Sequence, residues 1–301
     1  QFSAGTILAG ASLDPIIPPS VLAIIVATIA DVSAGRMLIA GILPGLLLTG
    51  MFLIYVLIRV KLNPALAPDI AVDIIDRKTG GSVVMAFVRM IPSVFIFFMV
   101  MGLIMLGVAT PTEAAATGVV GALIIAAYYG RLSPALVAEA LASAATVASL
   151  LLIIMASAVM FSQLLTFTGA TRAMGEFITG LNLHAALMLF LMMALPFVLY
   201  MFLDQVALML VLIPIYKPIL QIYGFDEIWF WTLFLVVAVS GGLTPPFGYV
   251  LFALKSAAPD VPMTIIFRAA WPFVWILVAG ILVMALFPAI ITFLPQLMGP
   301  K

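Results

Sequence analysis

The stretch Ser240-Gly241-Gly242-Leu243-Thr244-Pro245-Pro246-Phe247-Gly248 interrupts an apolar run that covers residues 228–258. Proline has no N–H, so Pro245 and Pro246 cannot donate to the carbonyls of Gly241 and Gly242, the acceptors four residues back along a helix. In hydrocarbon those oxygens are costly until something outside the helix satisfies them. Glycine at 241, 242 and 248 opens backbone conformations that other residues resist. A small oxygen-seeking cation would use such carbonyls together with the Thr244 hydroxyl. The competing reading is a proline kink closed by a neighbouring Ser or Thr, or by a water. The Gly-Gly before the break and the second proline within it favour the ion site.

A second stretch echoes the first. Asp14-Pro15-Ile16-Ile17-Pro18-Pro19-Ser20 breaks the apolar run 2–31, and its prolines release the carbonyls of Ala11, Asp14 and Pro15. Ser12 and Ser20 add hydroxyls. Asp14 adds a carboxylate close to mid-membrane, where an isolated charge costs at least ~2.5–3.5 kcal/mol. It is therefore read as a ligand, against the alternatives of a protonated acid or a cap on the second half-helix. Pro18-Pro19 aligns with Pro245-Pro246, Asp31-Val32 with Asp260-Val261 and Pro44 with Pro272, at offsets of 227 to 229 residues.

Composition names the solvent around these breaks. Of 301 residues, 66% are apolar and 8% are charged, against about 25% charged in a soluble domain. A chain this poor in charge belongs in lipid. Net charge is zero and there is no basic stripe, which removes the basis for nucleic-acid binding. Zero cysteines exclude disulfides and thiolate metal sites, and the lone His184 leaves no histidine cluster. His184 reads as an interfacial residue near a helix start. The opening Gln1-Phe2-Ser3-Ala4-Gly5 reads as the middle of a helix, so the sequence is expected to be a piece of a longer protein.

Spanning helices are expected near 37–58, 83–107, 112–129, 147–167 and 263–287. The run 185–216 would be about 48 Å long as one helix, too long for one crossing and too short for two. A re-entrant hairpin fits instead, with two arms of roughly 15 residues meeting near Asp204 and Gln205. An ionised Asp204 needs a cation, since no Lys or Arg lies within a dozen residues. A structural alternative is an N-cap on the second arm. Thr110-Pro111-Thr112-Glu113 is a capping box opening the helix at 112–129. Segment 133–146 lies at the interface or extends the helix at 147–167.

Arg59, Lys61, Arg77 and Lys78 make 59–82 the richest basic loop, which places it in the cytoplasm. Counting spans puts Arg131, Lys255 and Arg268 on that side, with Asp226, Glu227, Arg172, Lys217 and Lys301 outside. The two broken segments then run in opposite directions. Related segments of opposite orientation are the mark of inverted-topology repeats, whose discontinuous helices hold substrate and ion in secondary transporters.

At this point five signatures stand in order: Pro15-Ile16-Ile17-Pro18-Pro19-Ser20, Ala40-Gly41-Ile42-Leu43-Pro44-Gly45-Leu46-Leu47-Leu48, Thr110-Pro111-Thr112-Glu113-Ala114-Ala115-Ala116, Met201-Phe202-Leu203-Asp204 and Gly242-Leu243-Thr244-Pro245-Pro246-Phe247-Gly248. With this set the chain resembles the large membrane subunit of TRAP transporters, the tripartite ATP-independent periplasmic type, across essentially its whole length. The resemblance implies an all-α, multi-pass, elevator-type secondary transporter of a bacterial inner membrane. It implies Na⁺-driven uptake of an organic anion (C4-dicarboxylate, sialic acid or similar carboxylate). The implied partners are a periplasmic substrate-binding protein and a small membrane subunit. The implied Na⁺ ligands lie around Pro18 and Ser20 in one site and at Asp204, Gly242, Thr244 and Gly248 in the other. Gly241 and Pro245 join these from the reading of the break, and Asp14 from its carboxylate.

Three departures from the family pattern stand out. The family's first portion, with a first hairpin and its Ser-rich tip, is absent before residue 1. Asp14 occupies a position that is usually small, and Gln205 one where Pro is common. The expected organisation is a broken helix over 1–31, a closing helix over 32–58, a cytoplasmic loop over 59–82 and scaffold helices over 83–183. The hairpin and second broken helix follow over 184–258, and a C-terminal helix over 259–301. The competing functions are a proton-coupled transporter or antiporter of the same superfamily, a channel, an intramembrane enzyme and an anchoring subunit. The inverted echo argues against the channel, and the lack of a Ser-His or Asp-Asp spacing against the enzyme.

Overall fold

A computed structural model describes residues 2–66 and 83–297. The expected basic loop falls largely outside them: Arg59 and Lys61 close a helix, while Arg77 and Lys78 lie outside the described residues. The described residues are helical throughout their regular structure, with no strand among them. We label the helices α1 (Phe2–Ser12), α2 (Val21–Ala30), α3 (Ala34–Ala40), α4 (Ile42–Leu62), α5 (Val83–Phe97), α6 (Pro111–Tyr128) and α7 (Pro134–Phe167). They continue as α8 (Ala170–Gly180), α9 (Ala185–Leu199), α10 (Gln205–Tyr223), α11 (Glu227–Leu243), α12 (Tyr249–Ala257), α13 (Met263–Leu286) and α14 (Ala289–Leu297). A π-helical turn at Phe98–Gly102 follows α5 and runs into a last turn at Leu103–Met105.

Among the described residues, five helical stretches are long and apolar enough to cross a bilayer: Ala34–Leu62, Pro111–Tyr128, Pro134–Phe167, Gln205–Tyr223 and Met263–Leu286. The shorter apolar pieces include α1, α2, α9 and α11, the halves of the interrupted segments. Both predicted breaks are present. α1 and α2 are separated by residues 13–20, and α11 and α12 by 244–248. Residues 200–204 separate α9 from α10. The second arm of this helical hairpin is longer than expected, because Pro214 and Pro218 are accommodated inside α10. Residues 133–146 extend the helix at 147–167, giving one 34-residue helix of about 51 Å. Helices α8 and α14 have no counterpart in the sequence reading, being too short to register as spans.

The chain forms two compact units. One comprises residues 1–52 and 145–301, the other 53–144, so the boundary falls within α4 and within α7. In the larger unit α11 is the centre: every residue from Trp229 to Leu243 is buried. A helix apolar on all sides satisfies itself only by being surrounded, and α9, α13, α3, α1 and α2 surround it. Trp229 Nε1 donates to Met284 O at 3.0 Å, fixing α11 against α13. Phe52 and Phe273 meet edge to face at 5.4 Å, and Leu48 lies where Gly280 leaves room, so α4 also packs on α13. Lys217 on α10 reaches Asp31, the left-handed C-cap of α2, at 3.8 Å.

In the smaller unit Gly118 and Gly121 let α6 close onto Val100 and Met99, and Thr117 Oγ1 donates to Met99 O at 3.1 Å. The capping box is present. Thr110 N donates to Glu113 Oε2 at 2.7 Å and Glu113 N to Thr110 Oγ1 at 3.4 Å. His184 caps α9, its Nδ1 accepting from Ala186 N at 3.3 Å, in line with its reading as a helix-start residue.

Gly41 tests how tightly the first break is held. A Cβ there would collide with the carbonyl oxygen of Ile16, whereas one on Gly50 would meet nothing within 4 Å. Gly41→Ala is expected to destabilise the protein by about 1–3 kcal/mol, read as a lower unfolding midpoint in detergent. Gly50→Ala should leave the midpoint unchanged or raise it.

Candidate functional site

The two breaks begin from the same chemical problem. In a helix a carbonyl accepts from the residue four positions on, or three positions on in the last turn. For Pro15 those residues are Pro18 and Pro19, and for Gly242 they are Pro245 and Pro246. Each of these two oxygens has therefore lost both helical donors. The peptide bond between the tandem prolines is cis in both breaks.

The structure resolves the problem differently in the two places. In the first break the buried Ser20 hydroxyl donates to Pro15 O at 2.6 Å and accepts from Ala23 N at 3.1 Å. Ser20 is thus the N-cap of α2, which excludes the capping role considered for Asp14. One Ser20 lone pair remains. The Ala11 carbonyl is not free as expected, because Asp14 N donates to it at 3.5 Å. Pro18 is buried within the turn, while Pro15 and Pro19 line a cavity.

In the second break Gly241 O accepts from Thr244 N at 3.0 Å, which corrects the expectation of an orphan there. Gly241 itself is a packing residue, since a Cβ on it would strike the side chain of Tyr200, the C-cap of α9. The fully buried Thr244 hydroxyl donates to Ser240 O at 2.6 Å, so both its lone pairs stay available. Gly242 O has no N–H donor among the described residues. Gly248 sits against it so closely that a Cβ would collide with that oxygen. Pro245 contributes by removing a donor. Phe247 stands where the first break has Ser20, and it offers no hydroxyl to Gly242 O.

The hairpin tip closes this arrangement. Asp204 is the N-cap of α10, its Oδ1 accepting from Ala207 N at 3.0 Å, so the structural reading holds and one carboxylate oxygen remains uncommitted. Gln205 is buried, and its Nε2 donates to Ala238 O of α11 at 2.6 Å. That bond ties the tip to the second broken helix. Gly242 is required for it, since a Cβ there would lie 2.7 Å from Gln205 Nε2 and 2.5 Å from the Tyr249 ring. Phe202 of the tip meets Phe247 of the break at 6.0 Å between ring centroids.

Within the larger unit a cavity of about 340 Å³ joins these elements. Its wall combines Asp14, Ser20 and the first residues of α2 with Asp204, Gln205 and Tyr249. Of the predicted site residues, Asp14, Ser20 and Asp204 line it; Pro18, Gly241, Gly242, Thr244, Pro245 and Gly248 do not. Of these last, Gly242 lies against the lining residues Gln205 and Tyr249. Tyr249 was missed in the sequence, although its place at the first position of α12, directly after Gly248, was a usable signal. Gln205 stood out only as a departure from the family pattern.

Together these features define a multi-pass, all-helical membrane permease with a solute-sized cavity between two broken helices and a hairpin tip. Residues 1–290 match the family described as "Tripartite ATP-independent periplasmic transporter, DctM component", and the chain belongs to that family. It is thus an inner-membrane transporter subunit and not an enzyme. The C4-dicarboxylate TRAP transporter large permease protein DctM of Pseudomonas aeruginosa is 30% identical over 301 residues, spanning 99% of this chain and 68% of the relative. The protein of the same description from Rhodobacter capsulatus is 27% identical, over 99% of this chain and 70% of its own. The ectoine/5-hydroxyectoine TRAP transporter large permease protein UehC of Ruegeria pomeroyi is 27% identical, over 95% and 65%.

Gly248 offers a local test of the break. Gly248→Ala forces Gly242 O away from its place, and solute uptake by the complete transporter should fall about tenfold or more. Gly10→Ala, which meets nothing within 4 Å, should not change it.

Proposed function

We propose that this chain is the large membrane subunit of a Na⁺-coupled importer of a carboxylate solute, a C4-dicarboxylate, sialic acid or similar organic anion. A periplasmic substrate-binding protein delivers the solute and a small membrane subunit braces the scaffold. The observation that carries this reading is the cavity, in which the first break, the hairpin tip and the start of α12 meet.

Na⁺ is cargo here, and the second break suits it. Gly242 O lacks a donor, the Thr244 hydroxyl has turned its proton toward Ser240, and Asp204 keeps one oxygen uncommitted. A hard monovalent cation accepts such neutral oxygens alongside a single carboxylate. At the first break Ser20 holds one lone pair and closes Pro15 O, while Asp14 O, released by Pro18, accepts from no N–H among the described residues. Na⁺ binding would draw the tip and the breaks into one arrangement, so the population able to hold solute depends on Na⁺.

The two broken helices and the hairpin then move as one body, the elevator mode that the family resemblance implies. The Gln205–Ala238 bond supports joint movement of tip and helix. Low internal Na⁺ empties the ion site and releases the solute inside.

Asp204→Asn separates the charge from the cap, because Asn caps a helix about as well as Asp. The complete transporter in proteoliposomes should need at least about tenfold more Na⁺ for half-maximal uptake, with assembly intact. Thr244→Val should act in the same direction. Unchanged Na⁺ dependence in both variants would refute the ion assignment.

A further inference from the structure

Asp14 has no task in the fold. It lines the cavity as an exposed residue, does not cap α2, and pairs with no Lys or Arg among the described residues. Some oxygens around it are engaged: Ala11 O accepts from Asp14 N, Leu13 O from Ile16 N and Ile17 N, and Pro15 O from the Ser20 hydroxyl. Asp14 O and Ile16 O accept from no N–H among the described residues. An organic cation brings its own N–H groups and needs only a carboxylate and one or two further acceptors.

The cavity lining also carries donors. Val21 and Leu22 are the first two residues of α2, and Gln205 and Val206 the first two of α10; all four line the cavity. N–H groups at these helical positions have no acceptor within their helix. The third N–H of each start is already taken, Ala23 by Ser20 Oγ and Ala207 by Asp204 Oδ1. Two helix starts therefore present donors to one space, that of α10 beside the Asp204 carboxylate, which the proposed Na⁺ would neutralise. Gln205, only 7% exposed, commits Nε2 to Ala238 O and leaves Oε1 with no donor among the described residues.

From this bipolar cavity we infer that the transported solute is a zwitterion, its carboxylate at the starts of α2 and α10 and an ammonium or amidinium group paired with Asp14. Gln205 Oε1 is a further acceptor for the cationic group. The cavity of about 340 Å³ suits a small solute, at the lower end of ligand pockets. The inference rests on the reading of this cavity as the solute site, and it narrows the class from organic anions to those with a cationic nitrogen. Asp14 is then the specificity determinant.

The test uses the complete purified transporter at saturating Na⁺, with ligand-induced shifts in its unfolding midpoint. Matched pairs differ at one end only: succinate against 4-aminobutyrate, and glutarate against 5-aminopentanoate. The amino acids should act at concentrations at least about tenfold lower than the diacids. Asp14→Asn should abolish that preference, and Asp14→Glu should retain it. Preference for the diacids, or an order unchanged by Asp14→Asn, overturns the inference. If Asp14→Asn shifts the Na⁺ requirement and not the solute order, Asp14 is an ion ligand; the inference falls while Na⁺ coupling stands. Silence from every compound, with and without Na⁺, removes the cavity as a carboxylate site and both readings with it.

Discussion

The arrangement of the larger unit depends on one covalent fact: two adjacent prolines strip a single upstream carbonyl of both of its helical donors. In water such an oxygen is solvated at little cost, but within a bilayer it needs a partner supplied by the fold or by a ligand. The chain meets this need twice and answers it in two ways. Pro15 O is closed by Ser20, which also caps α2. Gly242 O is left open, with Phe247 where a hydroxyl would have been and Gly248 pressed against it. Pro15 O is thereby closed by the fold itself, while Gly242 O remains a polar opening in the most buried helix of the unit.

Packing makes the opening usable. Glycine at 242 clears the space through which Gln205 reaches Ala238 O and against which the Tyr249 ring lies. Gly41 allows the Ile16 carbonyl to approach the junction of α3 and α4. Each missing side chain lets a backbone segment or a polar group sit where an ordinary helix would exclude it. The outcome is a tip and two breaks held together by short-range contacts, with two carboxylates, Asp14 and Asp204, lining the cavity between them.

Much of this was legible in the sequence because the deciding residues carry their physics locally. Tandem prolines break a helix wherever they occur, so the divisions at 13–20 and 244–248 followed directly. The capping box at Thr110 and Glu113 was equally local. What escaped was set by neighbours distant in sequence. The engagement of Gly241 O by Thr244 N depends on how the last turn tightens, and the Gln205 bond to Ala238 spans 33 residues. Ser20 was read as a ligand on its chemistry alone; its hydrogen bonds make it first a cap. Helices α8 and α14 were lost because a search for 20-residue spans passes over pieces of 11 and 9 residues.

The most direct measurement is a high-resolution structure of the complete transporter determined in Na⁺ with its solute. Cation density touching Gly242 O and Thr244 Oγ1, with solute between Asp14 and the starts of α2 and α10, is the expected result. A Gly242 carbonyl closed by a protein N–H, or solute bound away from the two breaks, would contradict it.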